Sequence, residues 1–522
     1  MIFESPHPDV AIPGESLTEH VLGVASERAD HPALIDGPSG RSLTFGELAG
    51  SIRRAAAGLA DRGLAKGDAV ALYAPNLPEY AIAFHGAASV GGVVTTVNPL
   101  YTARELAGQL EDSQARFLVT IPPLLEKATD ALEGTAVEEI FAFGEAEGAT
   151  PFSALLASGD EPPEVAIEPA EELVALPYSS GTTGLPKGVM LTHRNLVANV
   201  RQMVSVDPVG EDEVAIGILP FFHIYGMTVV MSAALAEGAT VVTMPRFDLE
   251  AFLGIVERYG VTRANLVPPI ILALAKHPVV EEFDLSSLRQ ITSGAAPLSA
   301  GLEAACADRI GCHVSQGYGL TETSPVTHFS PPWDEELHRP GSVGPPIPNT
   351  EVAIRDFETG DFLGPGERGE VLIRGPQVMK GYLGRERESA DAIDADGWFH
   401  TGDVGVCDEK GRLEIVDRAK ELIKYKGYQV APAELEAVLL ENPAVADAAV
   451  IPIPDEEAGE APKGFVVAAG PLDEASVLAW VAERVAPYKK LRAVELVDEI
   501  PKSPSGKILR RVLIEAERAE RA

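Results

Sequence analysis

Cysteine is scarce here: Cys306, Cys312 and Cys407 are the three in 522 residues. Their spacing matches neither a disulfide framework nor a zinc site, so incidental or buried thiols in a reducing compartment are expected. Positive charge is scarce as well. Forty-two Lys and Arg stand against 78 Asp and Glu, a net charge of −36. Nucleic-acid binding rests on cationic side chains that neutralise phosphate, so this balance excludes nucleic acid as a partner. The opening MIFESPHPDVAIPGES has neither a basic stretch nor an apolar run, and no signal peptide is expected. Residues 214–236 carry no formal charge and are long enough to cross a bilayer, but Pro220, His223 and Gly226 interrupt them. They read as buried strand and loop. Internal repeats are absent, and the Ala/Glu-rich stretch 144–172 reads as an exposed connection. A cytoplasmic protein without an integral membrane segment follows, a monomer or homodimer.

What is present is a globular composition, 46% apolar, in a chain long enough for two or three domains. TFGELAGSIRRAAAGL places Phe45, Leu48, Ile52, Ala56 and Leu59 on one helical face, with Thr44 and Glu47 forming a capping box. DAVALYAP reads as a strand, residues 80–88 as a helix and GVVTTVNP as another strand. Thr102 and Glu105 repeat the cap. Such alternation predicts mainly parallel sheets with helices on their faces. After Pro331 the texture changes to short extended runs broken by Gly and Pro, as in hairpins or a small barrel. It changes again near Arg418, and the last hundred residues read as a compact α+β unit.

The stretch SSGTTGLPKG, residues 179–188, lacks the spacing of the common nucleotide loop, because Lys187 lies between Pro186 and Gly188. Its chemistry still suits polyphosphate. Gly181, Gly184 and Gly188 permit close backbone approach, and Ser179, Ser180, Thr182 and Thr183 donate hydrogen bonds. Lys187 adds roughly 4 kcal/mol of raw Coulomb attraction at contact near a surface, before desolvation. The flanks, strand-like ELVALPYSS and a helix capped near Thr192, argue against a flexible linker.

With PFFHIYG, SGAAPL, QGYGLTE, GWFHTGD, DRAKELIKYKGYQVAPAE and PKSPSGKILRR following in order, this stretch resembles the adenylate-forming superfamily over essentially the whole chain. The likeness is greatest to aryl- and acyl-CoA ligases of the 4-coumarate–CoA ligase kind. The resemblance implies an N-terminal domain 1–417 that binds AMP and acid, with a β-rich subdomain at 331–417. It implies a hinge at 418–420 centred on Lys420, and a mobile C-terminal lid at 421–522. It implies ATP, Mg2+ and coenzyme A as ligands and a small carboxylic acid as substrate. The nucleotide site would comprise residues 179–184 and Lys187, with Ala295, Gln316, Gly317, Tyr318, Gly319 and Thr321. Asp403 and Arg418 would serve the ribose, and Glu322 the magnesium. Lys424 and Gln429 would approach the nucleotide in one pose, while Lys426 and Gly427 would line the thiol tunnel in the other.

By the same resemblance Lys507 is the adenylation lysine and His223 the gate to the carboxylate pocket, with Thr183 and Glu322 completing the catalytic set. His223, Tyr225, Thr228, Gly294, Ala295, Gly317, Pro325, Val326 and Thr327 would contact the acid. Thr292 departs from the lysine frequent before Ser-Gly-Ala in plant hydroxycinnamate enzymes, so a cinnamate-type acid and a medium or long fatty acid both stay open. A carrier-protein-loading ligase is the rival within the family, but no carrier domain is evident. A non-catalytic nucleotide or acyl-CoA binder is the rival outside it, against which stands the joint presence of Lys187, Glu322, Asp403, Arg418 and Lys507.

Overall fold

A computed structural model describes residues 1–157, 159, 161–179, 186–426, 428–455, 458–504 and 506–521. Two large sheets build the body. In the eight-stranded one, Val214–Gly217, Thr240–Thr243, Arg263–Leu266, Gln290–Ser293 and His313–Gly319 run parallel, and antiparallel strands close both ends. In the nine-stranded one, Ala69–Tyr73 pairs in parallel with Val93–Thr96 and Ala115–Thr120. Lys187–Thr192 adds an antiparallel edge against Leu173–Ala175 and Tyr178–Ser179. One apolar core runs between the two sheets, with Leu34 and Ile216 from the first and Val70 and Val94 from the second.

Local sequence accounts for the helices in this core. Phe45–Asp61 begins at the Thr44/Glu47 capping box, and Phe45, Leu48, Ile52, Ala56 and Leu59 are all buried. Such a cap stabilises a helix by about 1 kcal/mol. The same device starts Ala103–Ser113 at Thr102 and His193–Val206 at Thr192.

Two segments depart from the sequence reading. Residues 214–236 hold the strand Val214–Gly217, but beyond the loop they coil through Gly226–Ser232, with widened π-type turns, into Ala233–Ala236. Every residue of Gly226–Ser232 is buried, so no polar face marks the helical period. A Cβ on Gly226 would collide with the Pro220 carbonyl, so the entry to this helix requires glycine. Part of 144–172 folds as Thr150–Pro151 and Ser153–Leu156, burying Phe152 and Leu155 instead of lying wholly exposed.

The β-rich part is an antiparallel five-stranded sheet of Ile2–Glu4, Glu351–Arg355, Arg368–Arg374, Phe399–Cys407 and Leu413–Arg418. The amino-terminal strand was not legible in the sequence, because its partner lies some 350 residues away. The last unit has its own core and a five-stranded sheet with helices Pro432–Leu440, Glu474–Ala482 and Arg510–Arg521. Among the described residues no helix is long and apolar enough to cross a membrane. The three cysteines are free thiols, Cys306 and Cys407 buried.

Candidate active site

A cavity of about 1190 Å³ opens where the body, the β-rich sheet and the C-terminal unit meet. The parallel strands Gln290–Ser293 and His313–Gly319 point their carboxyl ends at it, the usual place for a ligand in an α/β sheet.

One wall carries Tyr318 and Arg418. Behind them Asp403 is buried with both oxygens engaged. The Tyr318 hydroxyl donates to Oδ2 at 2.6 Å, and Arg418 Nε lies 3.3 Å from Oδ1. Asp403 and Arg418 are register partners on adjacent strands, so backbone pairing sets their separation. Burial pushes the Asp403 carboxyl up, opposed first by the Arg418 charge and then by the Tyr318 hydrogen bond. Asp403 itself is not part of the lining.

A second wall carries Glu322, whose Oε1 accepts from Ser179 Oγ at 2.8 Å and from Tyr382 OH at 3.0 Å. Lys187 Nζ sits 4.8 Å from the centroid of the Tyr382 ring. The two-residue ladder Tyr178↔Gly188 and Ser179↔Lys187 brackets the glycine-rich stretch. Ser180, Gly181, Thr182, Thr183 and Gly184 lie outside the described residues, as does Gly427. One carboxylate among hydroxyl oxygens is a hard donor set that fits Mg2+, an ion commonly held by one or two carboxylates plus substrate phosphates. No group of three or more His, Cys, Asp and Glu capable of caging a metal occurs among the described residues. Glu322 would hold such an ion together with the nucleotide's phosphates.

Lys507 enters the same cavity from the C-terminal unit. Its turn is fixed by the Lys502↔Ile508 bridge and by Ser503, whose amide donates to the Lys507 carbonyl at 2.8 Å and whose hydroxyl accepts from the Lys507 amide at 3.1 Å. Burial lowers its ammonium pKa, and the charge of Arg418 lowers it further. His223 is held at about 4, mainly by burial and then by Lys507. Its Nδ1 accepts from the Tyr225 amide at 3.3 Å, which assigns the proton to Nε2. His223 is thus a neutral donor rather than a base in waiting.

Tyr225 lies on the strand end at Gly294, where a Cβ would collide with its ring. Its hydroxyl is 3.3 Å from both Asn265 Oδ1 and the Thr292 carbonyl. Ala295 follows at φ +68, a left-handed conformation uncommon for alanine, and faces the cavity with Gly317, Gly319, Thr321, Pro325 and Val326.

Not every expected residue reaches this cavity. Thr228 does not line it; Val229 does, because the chain is helical there and Val229, four residues after Tyr225, shares its face. The Thr228 hydroxyl is buried without a partner. Gln316 lies behind the lining, accepting from the Leu298 amide at 3.0 Å and donating to Glu303 at 3.0 Å, so it braces the SGAAPL turn. Thr327 spends its hydroxyl on the Tyr318 carbonyl. Lys424, Lys426 and Gln429 are exposed on the hairpin Ile423–Tyr425/Tyr428–Val430, away from the lining, whereas Lys420 is part of it. Sequence reasoning missed Tyr382, Tyr178, Met203 and Phe329, which also line it. Val229 is out of reach of periodicity, since its helix is buried all round, and nothing local marks Tyr382.

Residues 23–383 match the family described as AMP-binding enzyme, and residues 434–507 match its C-terminal domain. The chain belongs to the AMP-binding enzyme family. It is 44% identical over 524 residues to 4-coumarate–CoA ligase 5 of Oryza sativa subsp. japonica, covering 98% of this chain and 96% of that one. It is 44% identical to 4-coumarate–CoA ligase of Pinus taeda, with 98% and 97% covered. Among solved structures, an anthranilate CoA ligase in complex with anthranoyl-AMP superposes with TM-score 0.90 at 26% identity, covering 97% of this AMP-binding enzyme and 98% of the other chain.

Proposed function

We propose that this enzyme is an ATP-dependent carboxylic acid–CoA ligase acting on a 4-coumarate or cinnamate-type acid. The reading is carried by one observation: Lys507 and Arg418 from one side and Glu322, Lys187 and His223 from the other line a single cavity. A carboxylate is a poor acylating agent because its leaving group would be oxide. Its oxygen attacks the α-phosphorus of ATP, the bond to the bridging oxygen breaks, and pyrophosphate leaves. Two anions meet in that step, so cations must offset their repulsion. Lys507 faces the α-phosphate and Lys187 the leaving pyrophosphate. The His223 Nε2–H orients the acid's carboxylate. Glu322 holds the magnesium, which when bound compensates charge on the phosphates. Arg418 meets the ribose, and Asp403 joins it where Tyr318 yields its hydrogen bond. The CoA thiol then attacks the acyl carbon, the bond to AMP breaks, and AMP departs with the acyl group left on sulfur.

In the same proposal the lid at 421–522 turns about Lys420, bringing Lys424, Gln429, Lys426 and Gly427 into use. The protein works in the cytoplasm as a monomer or homodimer. The relatives are named for an aryl acid, as is the anthranilate ligase, and Tyr225 and Gly317 both line the cavity that would take the ring. Acid-dependent pyrophosphate release from Mg-ATP, across hydroxycinnamates, benzoates and fatty acids of graded length, tests the reading. A hydroxycinnamate optimum with CoA-dependent turnover is expected. A fatty-acid optimum would replace the substrate class, and turnover that ignores CoA would replace the acceptor.

A further inference from the structure

Helix Pro432–Leu440 is the first helix of the C-terminal unit, and it starts badly. Its N-cap is Ala431, which has no capping side chain, and Pro432 follows at the first helical position. The first amide needing an acceptor is that of Ala433. Asp417 supplies one from sixteen residues upstream: its Oδ2 accepts from the Ala433 amide at 3.0 Å, while Oδ1 accepts from the Arg418 amide at 2.7 Å. A carboxylate there also meets the positive end of the helix dipole. Asp417 is 7% exposed and lies in the strand Leu413–Arg418, locked to Phe399–Cys407 through Val404. The cap therefore belongs to the body and the helix to the C-terminal unit, with Lys420 between them.

The contact continues toward the lysine. Glu436, on the capped helix, and Glu421 both bind Arg510, at 2.7 Å and 2.6 Å, three residues after Lys507. Arg510 Nε also donates to the Val450 carbonyl at 3.2 Å. Beneath the cap, Leu422 and Ala431 pack against Val404 of the body in a small apolar cluster. A further polar bond between the units runs from Lys276 Nζ to the Leu440 carbonyl at 3.0 Å, at the far end of the same helix and exposed. Asp417 is thus the buried, charged end of this docking.

We propose that Asp417 is a positioning residue that holds the C-terminal unit in the arrangement with Lys507 inside the cavity, by capping helix Pro432–Leu440 across the connection. The bond breaks when that unit turns, so its strength sets the balance between the two half-reactions. This rests on the two-step ligase reading, but the latch itself is measurable without turnover.

The test compares Asp417→Ala with Asp417→Ala/Ala431→Asp, which returns a cap to the helix from its own unit but not from the body. Tryptic cleavage at Arg418 and Lys420 reads the connection in the full-length protein without substrate. Pyrophosphate release reads adenylation, and thioester formation from supplied acyl adenylate reads the second step. Asp417→Ala is expected to speed cleavage and slow adenylation by about 5-fold each, the range of a lost cap, with thioester formation unchanged or faster. The double variant is expected to keep both effects. Recovery of both in the double variant would reduce Asp417 to a helix cap and overturn the latch. Unchanged cleavage in Asp417→Ala would overturn it whatever the activity. Faster cleavage in both variants, in a protein that adenylates no acid, would support the latch while removing the ligase reading.

Discussion

Arg418 and Lys507 line the same cavity but are held in opposite ways. Arg418 is set by the strand register that pairs it with Asp403, whose other oxygen is held by the Tyr318 hydroxyl. Lys507 rides on a short turn of a separate unit with its own core, docked through the Asp417 cap and a small apolar cluster. Rigid backbone pairing suits what binds the part of a substrate that stays through both steps. A detachable turn suits a charge needed in one step and obstructive in the next.

That contrast can be broken in several ways. Lys507→Ala is expected to lower adenylation by about 10²–10³-fold, the effect of losing a transition-state donor, and to leave CoA attack on supplied acyl adenylate within about 3-fold. Equal loss in both assays would end the one-step assignment. Asp403→Ala takes from Arg418 and the Tyr318 hydroxyl their shared acceptor, so both half-reactions should weaken, each by about 100-fold in kcat/KM. If only one step suffered, the wall would not be shared. Lys420→Pro restricts the backbone between the units; thioester formation should fall by about 10-fold or more with adenylation kept, and normal overall turnover would refute the hinge. Gly294→Ala drives a methyl into the Tyr225 ring. It should shift preference toward smaller acids by about 10-fold, the worth of one badly placed methyl group, read as the ratio of kcat/KM for benzoate over hydroxycinnamate.

The last prediction concerns stability rather than rate. His85 and His328 are held neutral at about 3, and His193 and His223 at about 4, chiefly by burial. Their folded values lie below the unfolded 6.5, so the unfolded chain binds more protons in acid. Their stabilisation is complete above pH 6.5 and is lost as pH falls through 6.5 toward the folded values. Each contributes a slope of at most about 1.4 kcal/mol per pH unit. Denaturation midpoints should hold between pH 8 and 7 and fall steadily from 6 to 5; a flat profile would mean that these rings find partners when protonated.

Much of the fold could be read locally. Thr44/Glu47 and Thr102/Glu105 announce helices because a cap is a contact over three residues. Strand–helix alternation announces parallel sheets, and the Gly/Pro-punctuated run after Pro331 announces hairpins. Residue types suited to phosphate, ribose and a carboxylate stand in their motifs, and Lys187, Glu322, Arg418 and Lys507 all line one cavity.

The sequence by itself determined the chemistry available to this protein and the elements that carry it, because periodicity, caps and motif spacing are short-range. Tertiary structure alone decided which groups face the ligand and which brace it. Val229 replaces Thr228 because a helix buried on every side has no polar stripe to reveal its phase. Gln316 supports a turn and Asp403 stands behind its own partners because burial consumes their hydrogen bonds. Asp417 caps a helix it does not belong to because two units meet there in space, and no local pattern encodes that meeting.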